Sequence, residues 1–104
     1  YDLMYRAVAN GDVDIAVAYS TDGRIAALDL KALDDNKEFF PPYDGSLVVH
    51  NDVLAEYPML EEIIEPLIGA IDEEKMAALN MRVDVDNIDP EEVARDYLVE
   101  RGLI

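Results

Sequence analysis

Val13-Asp14-Ile15-Ala16-Val17-Ala18-Tyr19-Ser20-Thr21-Asp22-Gly23-Arg24 is an apolar run that breaks into a polar turn, and its reading decides the fold. Val13, Ile15, Val17 and Tyr19 alternate with Asp14, Ala16 and Ala18, which gives a strand with one large apolar face and one small face. A strand of that kind can be covered on both sides, as in an α/β sheet. The carboxyl ends of such strands are where open α/β sheets hold ligands, and here that end carries Tyr19, Ser20, Thr21 and Asp22 ahead of a glycine. These residues are therefore half of a candidate binding site.

Upstream, Leu3, Met4, Ala7 and Val8 share one helical stripe, and Asn10-Gly11 is a left-handed stop. Downstream, Asp22-Gly23 between apolar runs is a hairpin signal, while Thr21 or Asp22 could cap a short helix through Ala27. The cap is preferred, because residues 25–28 do not alternate and paired alanines make poor strands. Leu28, Leu30 and Leu33 then indicate a second strand, closed by Asp34-Asp35-Asn36. In Phe39-Phe40-Pro41-Pro42-Tyr43-Asp44-Gly45 two prolines remove two ladder donors, so a stiff extended crossing is expected.

Leu47, Val48 and Val49 form a short third strand in this reading, and Asn51 or Asp52 starts a helical turn. After Pro58, Leu60, Ile63, Ile64, Leu67 and Ile68 form a helical stripe, which Pro66 should kink or end near Glu65. Asp72-Glu73-Glu74 is a helix start, and Val83 and Val85 alternate with acids as an extended tail. Asp89-Pro90-Glu91-Glu92 combines a cap, a proline at the first helical position and acid in the first turn. It predicts a helix that ends at Arg101-Gly102.

With 104 residues the chain is one domain or less, and a 51% hydrophobic fraction is enough for one core. Twenty-four Asp and Glu against eight Lys and Arg give a net charge of -16, which excludes nucleic acid and anionic membrane surfaces as partners. A cationic or zwitterionic ligand is not excluded. The absence of cysteine excludes thiolate chemistry and says nothing of compartment. No run reaches the roughly 18 apolar residues of a membrane helix. The chain opens at Tyr1 inside an amphipathic pattern, which suggests a piece of a longer protein.

Six tyrosines invite an aromatic-cage reading. Tyr5, Tyr57 and Tyr97 lie on helical patterns, where packing is the stronger explanation. Tyr19 ends the strand and Tyr43 follows the proline pair, so these two are the candidate ligand contacts, with Thr21 and Asp22 secondary. Residues 84–95 begin like a calcium loop, but Asp89 stands where the glycine belongs and Arg95 at the twelfth position, so the match fails. His50 is the single histidine, and no Gly-x-Ser-x-Gly elbow is present. Neither catalytic residues, metal ligands nor a cofactor are expected.

Leu3-Met4-Tyr5, Tyr19-Ser20-Thr21-Asp22-Gly23-Arg24-Ile25, Phe40-Pro41-Pro42-Tyr43-Asp44, Val83-Asp84-Val85 and Asp89-Pro90-Glu91-Glu92-Val93-Ala94 resemble the substrate-binding domain of ABC importers for glycine betaine, choline and related osmoprotectants. The resemblance implies an α/β fold, the C-terminal portion of a two-lobed, periplasmic-binding-protein-like (type II) architecture. Residues 1–38 would end the second lobe, 39–45 would cross between lobes, and 46–104 would form the C-terminal part of the first lobe.

It further implies a non-enzymatic, extracytoplasmic solute-binding module: periplasmic, a cell-surface lipoprotein, or fused to a permease. Tyr19 and Tyr43 match cage positions, one from each lobe. The implied partners are a quaternary-ammonium or zwitterionic solute, an ABC permease, and either the missing N-terminal part of the same protein or a swapped copy. Two aromatic faces contribute about 1–4 kcal/mol, short of the roughly 8 kcal/mol of a micromolar complex, so further walls are required. The competing readings are the same fold binding another small zwitterion or amino-acid derivative, and an acidic interaction module without a ligand.

Overall fold

The computed structural model describes residues 2–104. It contains six α-helices: α1 (Asp2–Asn10), α2 (Gly23–Ala27), α3 (Asn51–Glu56), α4 (Leu60–Ile64), α5 (Glu73–Asp84) and α6 (Pro90–Glu100). A single 3-10 turn, Glu65–Leu67, follows α4.

Short-range chemistry sets the helix boundaries. Asp22, Asp72 and Asp89 each cap the helix that follows, accepting the backbone N–H of Arg24, Lys75 and Glu91 respectively. Gly11 and Gly102 end α1 and α6 with positive φ, 78° and 69°. Around each, the pair of bonds expected of a Schellman stop is formed: Gly11 N–H to Val8 and Asp12 N–H to Ala7, Gly102 N–H to Val99 and Leu103 N–H to Leu98. Pro66, which has no N–H to give back to the preceding turn, converts the end of α4 into the 3-10 turn.

Two expectations are corrected. No strand is formed among the described residues: 13–19, 28–33 and 46–50 lie outside any ladder. A strand exists only against a neighbouring strand, and these segments find none within the chain. Most of their large apolar side chains are accordingly exposed, Ile15 at 76% and Val48 at 93%, while Leu28, Leu30 and Val49 are partly covered. The α/β pattern of the sequence is thus present as α-helices and unpaired apolar segments.

The second correction concerns the tail expected at Val83. α5 continues to Asp84, and the Val85 N–H closes on the Met81 carbonyl. Arg82 in its last turn lies favourably toward the helix C-terminus and donates to Asp96 on α6 at 2.6 Å. Asn87, at φ 57°, then turns the chain toward α6.

The chain divides into two compact units, Tyr1–Ala32 with Asp72–Ile104, and Leu33–Ile71. In the first, α2 packs on α5, α6 packs on α5 and α1 packs on α2. Tyr5, Val93 and Tyr97 are its buried apolar residues. Contacts within the chain thus join residues 72–104 to 1–32. In the second unit, α4 packs on the 3-10 turn that follows it. Residues 39–43 lie outside any helix or ladder.

Candidate ligand-binding site

The polar turn after residue 19 is built by its own backbone, by α2 and by α5. The Asp22 N–H donates to the Tyr19 carbonyl at 3.1 Å, closing a four-residue turn. Asp22 then caps α2, its Oδ1 accepting the Arg24 N–H at 3.0 Å. The same carboxylate receives the Arg24 guanidinium twice, Nε on Oδ1 at 2.8 Å and Nη2 on Oδ2 at 2.7 Å. This charge-assisted fork fixes the carboxylate plane. Arg24 also lies 4.0 Å from Asp84 and stands over the Tyr5 ring, 5.0 Å from its centre.

These contacts set the protonation chemistry. The Arg24 hydrogen bonds hold the Asp22 carboxyl below the usual carboxylate range, against the opposing effect of burial. Asp22 in turn raises the Arg24 pKa. Tyr5 is 2% exposed, and its hydroxyl lacks a hydrogen-bond partner of ordinary geometry among the described residues. Burial raises the phenol pKa, and the nearby Asp22 carboxylate raises it further. At neutral pH the cluster is therefore a neutral phenol, an ionised carboxylate and a guanidinium.

α5 holds the turn from the other side. Asn80 Nδ2 donates to the Thr21 carbonyl at 2.8 Å, and Ser20 Oγ donates to Glu73 Oε1 at 3.3 Å. Gly23 lies so close to α5 that a Cβ there would stand 2.4 Å from the Met81 Cα. Only glycine permits that approach. Tyr19, at the head of the turn, remains 54% exposed.

The structure thus places Tyr19, Thr21 and Asp22 on one turn of the first unit, with Asp22 engaged by Arg24 and by the α2 cap. Tyr43 belongs to the second unit, after Pro41-Pro42, and is 85% exposed. Two grooves lie within single units. One, of about 690 Å³, is lined by Leu47, Val48, Val49, Leu54, Ile64 and Ile68 and edged by Glu61, Glu62 and Glu65. The other, of about 370 Å³, lies by Arg6, Arg24 and Asp84. None of the four candidate residues lines either groove. No group of three or more His, Cys, Asp or Glu is placed to hold a metal among the described residues. No helix there is long and apolar enough to cross a membrane.

The sequence reading missed Asn80 and the Arg24 fork. The signal for Asn80 was present: it follows Met76 by four residues, on the side of α5 assigned to apolar packing, where an amide needs a partner. Its partner lies 59 residues away, which no local pattern shows.

A family described as the substrate binding domain of ABC-type glycine betaine transport systems matches residues 1–100. The carnitine transport binding protein OpuCC of Listeria monocytogenes is 43% identical over 96 residues, 92% of this chain and 31% of that protein. The ergothioneine transport permease/ergothioneine binding protein EgtU of Helicobacter pylori is 35% identical over 102 residues, 98% of this chain and 18% of that protein. A crystal structure of a glycine betaine/carnitine/choline ABC transporter superposes with a TM-score of 0.91 at 42% identity, covering 98% of this chain and 37% of the other. The chain therefore spans about a third or less of the length of these relatives.

Proposed function

The chain belongs to the family of substrate-binding domains of ABC-type glycine betaine transport systems, and from that premise we propose that it supplies Tyr19 and Tyr43 to an aromatic cage for a quaternary-ammonium osmolyte. The observation that carries this reading is the family match over residues 1–100, which includes both tyrosines. The relatives are transport substrate-binding proteins, and the role assigned here is capture of a solute without chemical change.

The physical logic follows from the ligand class. A trimethylammonium group has no hydrogen to donate, so shape, apolar contact and the negative faces of aromatic rings are the available means of recognition. Tyr19 is exposed on a turn held by α2 and α5, which limits the conformational entropy lost when a ring closes on a ligand. Asp22 is engaged with Arg24, so its part in this reading is to hold the turn, and Thr21 offers its hydroxyl beside Tyr19.

In this reading residues 39–45 cross between the lobes of a longer, two-lobed protein, and the remaining cage walls come from its other segments. That protein would work outside the cytoplasm, delivering solute to an ABC permease. Carnitine, glycine betaine, ergothioneine and choline all carry a trimethylammonium group, and this shared chemistry defines the proposed ligand class. Calorimetric titration of the full-length protein with glycine betaine, carnitine, choline and ergothioneine tests the reading. Saturable binding of at least one is expected, and it should weaken in Tyr19→Ala. Absence of binding to all four contradicts it.

A further inference from the structure

We infer that Asn80 is a positioning residue for ligand capture: its side-chain amide holds the Thr21 carbonyl and so sets the turn that presents Tyr19. The inference deepens the reading above and rests on it for the ligand, while the role in the turn stands on geometry alone.

Three observations converge. Asn80 Nδ2 donates to the Thr21 carbonyl at 2.8 Å, a bond from mid-α5 to the centre of the 19–22 turn. That turn has one internal backbone bond, from the Asp22 N–H to the Tyr19 carbonyl. Leaving the Thr21 carbonyl without its partner in a partly buried setting is costly, so the turn is drawn toward α5. Second, Gly23 is pressed against the Met81 backbone, the residue after Asn80. The chain on both sides of Asp22 is thus referenced to the same turn of α5. Third, Ser20 Oγ reaches Glu73 near the start of α5 at 3.3 Å. Turn residues 20 and 21 and the first residue of α2, Gly23, therefore contact one helix, with the buried-side contacts at Asn80 and Met81.

The consequence is functional because Tyr19 precedes these anchors directly. A loosened turn would place the Tyr19 ring correctly only part of the time, and apparent affinity falls by that fraction. The loss should appear in the association rate, because a bound complex, once formed, has the same contacts.

The test uses the full-length protein and compares Asn80→Ala, which removes the amide, with Asn80→Gln, which keeps it. Hydrogen exchange is read at the Asp22 and Arg24 amides, both bonded within the turn. It is also read at the Val93 and Arg101 amides of α6 as a reference. Association and dissociation rates for glycine betaine, carnitine and choline are measured alongside. Asn80→Ala should lose about tenfold in protection at Asp22 and Arg24 with α6 unchanged, and about tenfold in affinity through slower association, with Asn80→Gln closer to wild type. Unchanged protection in the turn, equal loss in the turn and in α6, or selective loss with wild-type affinity would each overturn the inference. Selective loss in the turn of Asn80→Ala, where the wild-type protein binds neither these three solutes nor ergothioneine, would support the role of Asn80 in the turn and refute the proposed ligand class.

Discussion

Replacing Gly23 by alanine tests the packing that holds the candidate site. A Cβ at this position would lie 2.4 Å from the Met81 Cα, 2.5 Å from its N and 2.8 Å from its Cβ. Carbon atoms rest about 3.5–4.0 Å apart, so α2 and α5 would have to separate by roughly 1 Å. Overpacking costs about 1–3 kcal/mol, and the upper end applies here because backbone cannot rotate away as a side chain can. Alanine recovers up to about 1 kcal/mol of helix propensity, and less at the first residue of a helix. The net expectation is a destabilisation of about 2 kcal/mol.

Urea unfolding of the full-length protein measures this. Gly45→Ala is the control, because a Cβ there meets nothing within 4 Å and the change should stay within about 0.5 kcal/mol. A midpoint for Gly23→Ala indistinguishable from wild type would refute the α2–α5 contact as described.

Tyr19→Ala and Tyr43→Ala should each weaken quaternary-ammonium binding by about 1–3 kcal/mol, and unchanged calorimetric affinity in both would remove the cage assignment. Asp89→Ala should cost about 1 kcal/mol through loss of the α6 cap, measured by denaturant unfolding, with Asp89→Asn close to neutral. Asp22 gives a pH dependence. Its folded pKa is depressed by Arg24, so its contribution is present above the unfolded value of about 3.9 and is lost as pH falls through the folded value. The stability advantage of wild type over Asp22→Asn should therefore shrink below about pH 4; a gap constant from pH 5 to pH 3 would contradict the pairing.

What could be read from the sequence follows the range of the interactions. The caps at Asp22 and Asp89, the helix start at Asp72, the stops at Gly11 and Gly102, and the break at Pro66 depend on residues within a turn of one another. All of these were legible. The strands were not, since alternation at residues 13–19 reports a capacity to pair and the pairing itself needs a neighbour. The extent of α5 was missed because Asp84-Val85-Asp86 alternates like a strand while Arg82 binds Asp96 fourteen residues on.

The same limit governs the site. Thr21 and Asp22 were legible as turn residues, and the cap on α2 was expected, but the hold exerted by Asn80 and Met81 comes from a helix more than 50 residues away. Tyr19 and Tyr43 stand out by position and by family resemblance, and their role in binding is proposed on those grounds.

The most direct test of the central claim is a calorimetric comparison of glycine betaine with 3,3-dimethylbutanoate, which has the same shape with carbon in place of the quaternary nitrogen. Recognition by aromatic faces predicts that the full-length protein binds glycine betaine at least about tenfold more tightly than the carbon analogue, because the cation–π attraction of the cage, summed over its rings, is lost. Equal affinity for the two would contradict the account.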